Sequence, residues 1–288
     1  MPYLQPFDPW KSPLCTCPPK YTLNPYTGCG HRCIYCYATS FIKNFYSPRP
    51  KKDFLKRIKK ELTKLPQGAL VSLSNSSDPY QPLEKNFQLT KKFLRLIQEL
   101  NLNLRVLIIT KSSLVERDIS LLKNLRCAVS ITITTFKYWK ILEPGSSPAE
   151  ERVEALKKLK TAGIPTILRL DPIIPEINET EVEEIIKKTA DFVDHLITST
   201  YKAKRDSLNR LVKAFPEKAK YLSFLYSKKG EKLSGSYYLP KELRKRIISR
   251  VYEIAKMYGL SFATCREGLK EFAFKERCDG SFLIDRFF

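Results

Sequence analysis

Three cysteines lie at Cys29-Gly-His-Arg-Cys33-Ile-Tyr-Cys36, directly after the aromatic, proline-broken stretch Tyr21-Thr-Leu-Asn-Pro-Tyr-Thr-Gly28. Thiolates spaced by three and then two residues can hold three corners of one [4Fe-4S] cube, leaving the fourth iron without a protein ligand from this motif. An open iron can bind a small chelating molecule and act on it, whereas a cluster with four protein ligands is more often an electron carrier. The competing readings are a structural zinc site or half of a disulfide set. Zinc usually takes paired Cys-x2-Cys or His ligands at matched spacing, and here only Cys33 and Cys36 make such a pair. The spacing therefore points to iron–sulfur chemistry and to an enzyme.

Five cysteines lie outside the triplet. Cys127 begins an apolar run and reads as a buried core thiol. Cys15, Cys17, Cys265 and Cys278 are enough for one tetrahedral zinc site or a second [4Fe-4S] cluster that ties the two ends of the chain together. Four unrelated thiols, or one disulfide, is the alternative. The two histidines, His31 and His195, make neither a catalytic triad nor a histidine metal set. His31 sits inside the cysteine loop, within reach of a cluster sulfide or a bound ligand.

These residues need elements to position them. Apolar runs bounded by polar or proline-rich turns predict strands at Ala69–Leu73, Leu104–Thr110, Ala128–Thr134, Thr166–Leu170 and Val193–Thr198. Apolar positions at three- and four-residue steps predict helices near Asp53–Lys64, Leu89–Leu100, Val115–Leu122, Ala149–Ala162 and Thr180–Ala190. Ser147-Pro148-Ala149-Glu150 reads as a capping box with Pro at the first helical position, and Gly163 suits the C-terminal cap. Repeated strand–helix units imply a parallel sheet, whose chemistry collects at the C-terminal ends of its strands. Ser76, Ser77, Asp78, Lys111 and Asp171 all fall just past a predicted strand, and Ser130, Thr132 and Thr134 share one strand face. Ser and Asp before Pro are also ordinary turn formers.

The chain has 288 residues, 43% of them hydrophobic, enough for a large α/β core and too many for wholesale disorder. No apolar run is long enough to span a bilayer, and the opening Met1–Trp10 lacks the basic and apolar regions of a signal peptide. A cytoplasmic protein is expected, with no membrane partner and with cysteines serving as metal ligands and buried thiols rather than disulfides. Lys+Arg number 51 against 30 Asp+Glu, a formal charge of +21. That excess suits a polyanion such as nucleic acid, although a Lys/Glu-rich thermophile surface is the bland alternative. Residues Lys202–Arg250 hold 15 Lys/Arg against 4 Asp/Glu, interleaved with Tyr201, Phe215, Tyr221, Phe224, Tyr226, Tyr237 and Tyr238. They read as a mostly helical basic appendage, offering phosphate contacts and stacking platforms or closing the open side of the sheet. The expected layout is an N-terminal extension (1–20), a core (21–200), and the appendage with a Cys-containing tail (201–288).

The cysteine triplet with Tyr35 before its last member resembles the radical S-adenosylmethionine (SAM) superfamily. A wider set resembles its spore photoproduct lyase-like, or DNA repair photolyase-like, branch: Gly28–Ala38, Ser76-Ser-Asp-Pro-Tyr-Gln-Pro-Leu-Glu84, Thr110-Lys-Ser112, Arg117-Asp118, Glu143-Pro144, Arg152, Asp171-Pro-Ile-Ile-Pro175 and Asn178. The tail phrases Ala263–Gly268 and Cys278–Ser281 look like an archaeal subset of it. The resemblance implies a partial (β/α)6 TIM-like barrel. It implies a [4Fe-4S] cluster on Cys29, Cys33 and Cys36, with SAM chelating the open iron through its amino and carboxylate groups. One electron from a ferredoxin- or flavodoxin-type reductant then splits SAM, and a 5′-deoxyadenosyl radical takes a substrate hydrogen. Ser76, Ser77, Asp78, Lys111 and Ser130 are implied SAM contacts. Tyr35 and Tyr37 are implied near SAM and in passing the radical. A lyase-like reaction on nucleic acid is the implied activity; radical modification of a peptide or metabolite, and a non-enzymatic iron–sulfur or zinc protein, are the other readings. Spore photoproduct lyases use a cysteine after the second strand as hydrogen donor. This chain has none between Cys36 and Cys127, so that activity does not transfer.

Overall fold

The computed structural model describes residues 2–7, 12–272 and 278–287. Residues 1, 8–11, 273–277 and 288 lie outside it, so parts of the opening segment, of the 1–20 extension and of the tail are not described. The main sheet has eight strands. In chain order they are β1 (Gln5–Pro6), β2 (Tyr21–Leu23), β3 (Leu70–Leu73), β4 (Arg105–Thr110), β5 (Cys127–Thr132), β6 (Thr166–Ile173), β7 (His195–Thr200) and β8 (Ser261–Thr264). Their spatial order is their chain order. Strands β2 to β8 run parallel, and β1 pairs antiparallel with β2. No pairing joins β1 to β8 among the described residues, so the expected partial barrel stands open at that seam.

The five predicted strands are present, with no end shifted by more than three residues. Strand β5 stops at Thr132, two residues early, because Thr134 turns its hydroxyl to Glu143 (2.7 Å). Three strands were not foreseen. Two are very short, and β8 lies in the tail beyond the basic stretch.

Six longer helices cover the sheet: α1 (Phe54–Leu62), α2 (Leu89–Glu99), α3 (Ala149–Thr161), α4 (Val182–Thr189), α5 (Arg205–Ala214) and α6 (Lys241–Met257). Helix α6 packs against β7, β8 and α4, so the basic stretch feeds a helix into the sheet's outer layer. An antiparallel ribbon, Glu231–Leu233 with Ser236–Tyr238, interrupts that stretch. The predicted helix at Val115–Leu122 is instead a 3-10 turn, Ser113–Asp118, followed by four α-helical residues, Ile119–Leu122. The capping box is also corrected. Pro148 takes the N-cap without a side-chain bond, and the Ser147 hydroxyl instead accepts the Ser113 N–H (2.9 Å). Gly163 does follow the helix end, with the positive φ of +75° that its C-cap role requires.

Strand alternation divides the core in two. Outward-facing Val71, Val106, Ile108, Cys127, Val129, Ile131, Leu168 and Leu196 pack under the helices. Inward-facing Leu70, Leu107, Ala128, Ile167 and Ile197 meet Phe282, Leu283 and Ile284 of the last helix, α7 (Phe282–Phe287). That helix plugs the N-terminal end of the bore, and Arg105 pairs with Asp285 beside it (3.0 Å). Toward the other end the inward positions turn polar: Ser72, Ser130, Thr132, Arg169, Asp171 and Ser199. Chemistry is thereby confined to the end where the strands finish.

Candidate cofactor site at the strand ends

The cysteine loop is held at its two ends by a small ribbon, Tyr26–Thr27 against Arg49–Pro50. Gly28 has a φ of +81°, and a Cβ there would sit 2.5 Å from the Phe45 carbonyl that accepts the Cys29 N–H. On the other side Gly145 donates its N–H to the His31 carbonyl (2.9 Å). A Cβ on Gly145 would lie 2.0 Å from the Gly30 carbonyl oxygen, a backbone atom that cannot step aside. Gly145→Ala is therefore expected to cost roughly 1–3 kcal/mol and to lower iron per chain after reconstitution, read by thermal melting and metal analysis. Unchanged iron content would show that the loop tolerates the shift.

Three further groups fix the loop. Gln81 accepts the Gly30 N–H (2.8 Å) and donates to the Gly28 carbonyl (3.0 Å) and the Ser77 hydroxyl (3.0 Å). Tyr46 donates to the Cys33 carbonyl (2.7 Å). Arg210 of α5 donates to the carbonyls of Ile34 (2.9 Å) and Cys36 (3.0 Å) and pairs with Asp206 (3.0 Å). Arg210 was not singled out in the sequence, where it is one basic residue among fifteen in its stretch; only folding brings α5 against the loop. Arg210→Ala is expected to speed cluster loss to a chelator by about 10–100-fold, the usual effect of losing an outer support. Arg210→Lys should not restore it, because one ammonium cannot span both carbonyls.

Cys29 and Cys33 are buried, and burial pushes both thiols up, Cys29 to about 12. Cys36 is partly exposed; burial raises its thiol too, opposed by the Ala38 backbone N–H and by the Lys111 and Arg210 charges. Among the described residues, no three His, Cys, Asp or Glu side chains converge on the position of a single metal ion.

Asp78 is the hub beneath the loop. Its carboxylate accepts N–H groups from Tyr80 (2.8 Å) and Lys111 (2.7 Å) and the Thr110 hydroxyl (2.8 Å), and His31 Nδ1 lies 3.3 Å away. Burial would raise its pKa, but His31 and these donors outweigh that and hold it low. So Asp78 is charged and already taken up with ordering the β3 and β4 ends. Ser76 and Ser77 give their N–H groups to the Asn24 side chain (3.1 Å each), and the Ser77 hydroxyl receives Gln81.

Lys111 stands where β4 ends, its ammonium 5.8 Å from the Tyr35 ring centre and near enough to Cys33, Cys36 and Glu143 to favour their anions. The Tyr35 hydroxyl donates to Glu143, with Thr134 at 3.3 Å. Tyr37 donates to the Asn75 carbonyl, and Cys265, Arg266 and Asp171 are close to it. Asp171 accepts Ser199 (2.6 Å) and pairs with Arg169 (3.0 Å). Three buried polar atoms facing the bore have no hydrogen-bond partner among the described residues: Ser72 Oγ, Ser130 Oγ and Arg169 Nε. Orphaned groups of this kind are rare and suit a bound polar ligand.

Asp78, Lys111, Tyr35 and Tyr37 lie within electrostatic reach of the three cysteines, and Ser77 is tied to their loop through Gln81; Ser76 is held by Asn24, and Ser130 lies on the inward face of β5. Gln81, Glu143 and Arg152, marked in the sequence only as part of the resemblance, and Arg210, not marked there at all, are supports. Cys127 faces the helix layer, its thiol toward the Leu122 carbonyl (3.4 Å), as its reading as a core residue required. A surface hollow of about 420 Å³ lined by Ser112, Ser113, Arg117, Glu151 and Lys158 contains none of the cysteines.

Comparison with known proteins agrees with this geometry. The family profile described as the Radical SAM superfamily matches residues 23–189. An uncharacterized protein of Methanocaldococcus jannaschii is 33% identical over 228 residues, covering 76% of this chain and 84% of its own length. A protein of Pseudomonas phage M6 named Radical SAM Nalpha-GlyT isomerase is 21% identical over 257 residues, covering 84% of this chain and 53% of its own. Among solved structures, a spore photoproduct lyase variant with bound AdoMet and dinucleoside spore photoproduct superposes with a TM-score of 0.68 at 18% identity. That match covers 89% of this chain and 79% of the lyase.

Proposed function

The chain belongs to the radical SAM superfamily, and from that premise we propose that it holds a [4Fe-4S] cluster on Cys29, Cys33 and Cys36, binds SAM beside it, and acts on a nucleic acid. A cluster held by Cys29, Cys33 and Cys36 would supply one-electron reductive cleavage of the SAM sulfonium, and with it a carbon-centred radical able to take a hydrogen atom from a substrate. A ferredoxin- or flavodoxin-type reductant would supply that electron. The observation that carries the reading is the buried three-cysteine loop beside a lysine and orphaned hydroxyls at the C-terminal rim of a parallel sheet.

The chain's own residues would bind and orient. Lys111 is placed to meet a carboxylate. Ser130 and Ser72 offer unpaired hydroxyls to a ligand in the bore. Asp78 keeps the Lys111 backbone in place, and Tyr35 is anchored by Glu143, a positioning role. The plug of α7 keeps water from the N-terminal end.

Nucleic acid is favoured by the charge of +21 and by the dinucleoside spore photoproduct bound in the lyase of similar fold. The basic stretch contributes less stacking surface than its composition promised. Tyr201, Phe215, Tyr226 and Tyr238 are buried, while Tyr221 and Phe224 are exposed. A lyase-like outcome is the reaction class we favour, with a hydrogen donor other than Cys127.

The test is anaerobic reconstitution with dithionite and SAM, measuring 5′-deoxyadenosine with and without DNA, RNA and small-molecule or peptide fractions. Stimulation by DNA or RNA is expected. Binding should weaken about a thousand-fold between 50 and 200 mM salt if some six phosphates are contacted. Stimulation by a peptide or metabolite fraction alone, with salt-insensitive or absent nucleic-acid binding, would replace the substrate assignment while leaving the SAM chemistry intact.

A further inference from the structure

The four cysteines that the first site does not use come from opposite ends of the chain and meet at one place. Cys15 and Cys17 lie between β1 and β2, Cys265 directly follows β8, and Cys278 precedes α7. Strand β8 carries its alternation past Thr264. Ala263 is level with the inward-facing Ile197, so Cys265 also faces the bore, and its N–H is held by the Thr198 carbonyl (2.9 Å). Cys17 Sγ is 3.9 Å from Cys278 Sγ, and the Cys15 thiol is hydrogen-bonded to Cys17. Cys265 lies within electrostatic reach of both Cys15 and Cys278. All four are free thiols.

The 3.9 Å separation is informative. A disulfide needs about 2.05 Å. Two thiolates on one tetrahedral zinc, each about 2.3 Å from the ion, stand about 3.8 Å apart. Lys20 and Arg169 lie within electrostatic reach of Cys17. Lys20 is buried against Asp279 (2.5 Å), and Arg169, partly buried, pairs with Asp171 (3.0 Å). The four thiols thus converge from distant positions, beside two paired cations, at the open seam of the sheet.

We propose that Cys15, Cys17, Cys265 and Cys278 bind a second, thiolate-ligated metal centre, either one zinc ion or a second iron–sulfur cluster. It would clasp the segment before β2 to the far end of the sheet and so close the seam that strand pairing leaves open. The described donors do not yet surround one point, so the sulfurs would draw in around the metal. This centre does not depend on the SAM chemistry, and its test is read without turnover.

The experiment uses the full chain with Cys29, Cys33 and Cys36 all changed to Ala, prepared anaerobically with iron, sulfide and zinc supplied. Metal analysis is expected to find about one zinc, colourless, or about four iron with a brown colour, per chain. Adding Cys17→Ser and Cys278→Ser should remove that metal. Should the added changes prevent folding, alkylation of the unchanged chain supplies a second reading. Cys17 and Cys278 should resist iodoacetamide until a chelator is added, and then react at least tenfold faster. A metal-free triple variant, labelling that ignores the chelator, or a Cys17–Cys278 disulfide in the anaerobic protein would each overturn the proposal.

Discussion

Changing Cys29, Cys33 or Cys36 singly to Ala is expected to abolish 5′-deoxyadenosine formation and to remove the cluster's iron from the reconstituted protein. Three sulfurs are the minimum that leaves one iron open, so two cannot hold the cube in the same pose. No neighbour can substitute: His31 is turned to Asp78, and the nearest other cysteine by sequence, Cys17, belongs to the second group. The effect should be loss to background rather than a graded decline. Turnover retained in any one variant would mean that another residue ligates the cluster. The control is Cys127→Ala, which touches only core and should change stability but not product.

Glu143→Gln is expected to cost about 3–5 kcal/mol, since it leaves the Arg152 guanidinium buried without its counter-charge. Glu143 and Arg152 are both fully buried, 2.6 Å apart. Arg152 also donates to the Ser147 and Thr132 carbonyls (2.8 and 2.9 Å), and Glu143 receives Tyr35 and Thr134. Burial would raise the Glu143 carboxyl, but Arg152, Lys111 and Tyr35 overcome it and hold the pKa down to about 2. A lowered acid contributes stability that is whole above its unfolded value, near 4.3–4.5, and is lost as pH falls toward 2. The shift corresponds to roughly 3 kcal/mol at 1.36 kcal/mol per unit, consistent with the mutational cost. For a chain of this size, melting should fall by roughly 10 °C at pH 7, and much of the difference should vanish near pH 2. A double variant, Glu143→Gln with Arg152→Met, should recover part of the loss, because no buried charge is then left alone. If the single variant melted like the unchanged protein, the buried pair would not hold the Tyr35 side of the loop.

The parallel sheet was legible because its longer strands are short apolar runs buried on both faces, most of them separated from the next by an amphipathic helix. Three of the four longer predicted helices with marked apolar stripes came within two residues at each end, and the fourth, α3, came within one. What failed was local. Ser147 carries the composition of a cap, yet a neighbouring loop offered its hydroxyl the Ser113 N–H. Val115–Leu122 has helical spacing but too few residues to hold an α-helix between two loops. Strand β8 is only four residues long and lies past a basic, aromatic stretch, so nothing nearby marks it as part of the sheet.

Spacing within one short segment determined the cysteine triplet's chemistry, because three ligands within eight residues must share one loop whatever surrounds them. Charge and composition likewise belong to the chain before it folds. Tertiary structure alone decided which donors were already occupied: Asp78 by the β4 end, the Tyr35 hydroxyl by Glu143, and Arg210 by the loop carbonyls. It also brought Cys17 to Cys278 across 261 positions of chain. Hydrogen bonds and ligand sets between distant residues depend on distances that sequence order does not encode, and only packing the helices onto the sheet sets them.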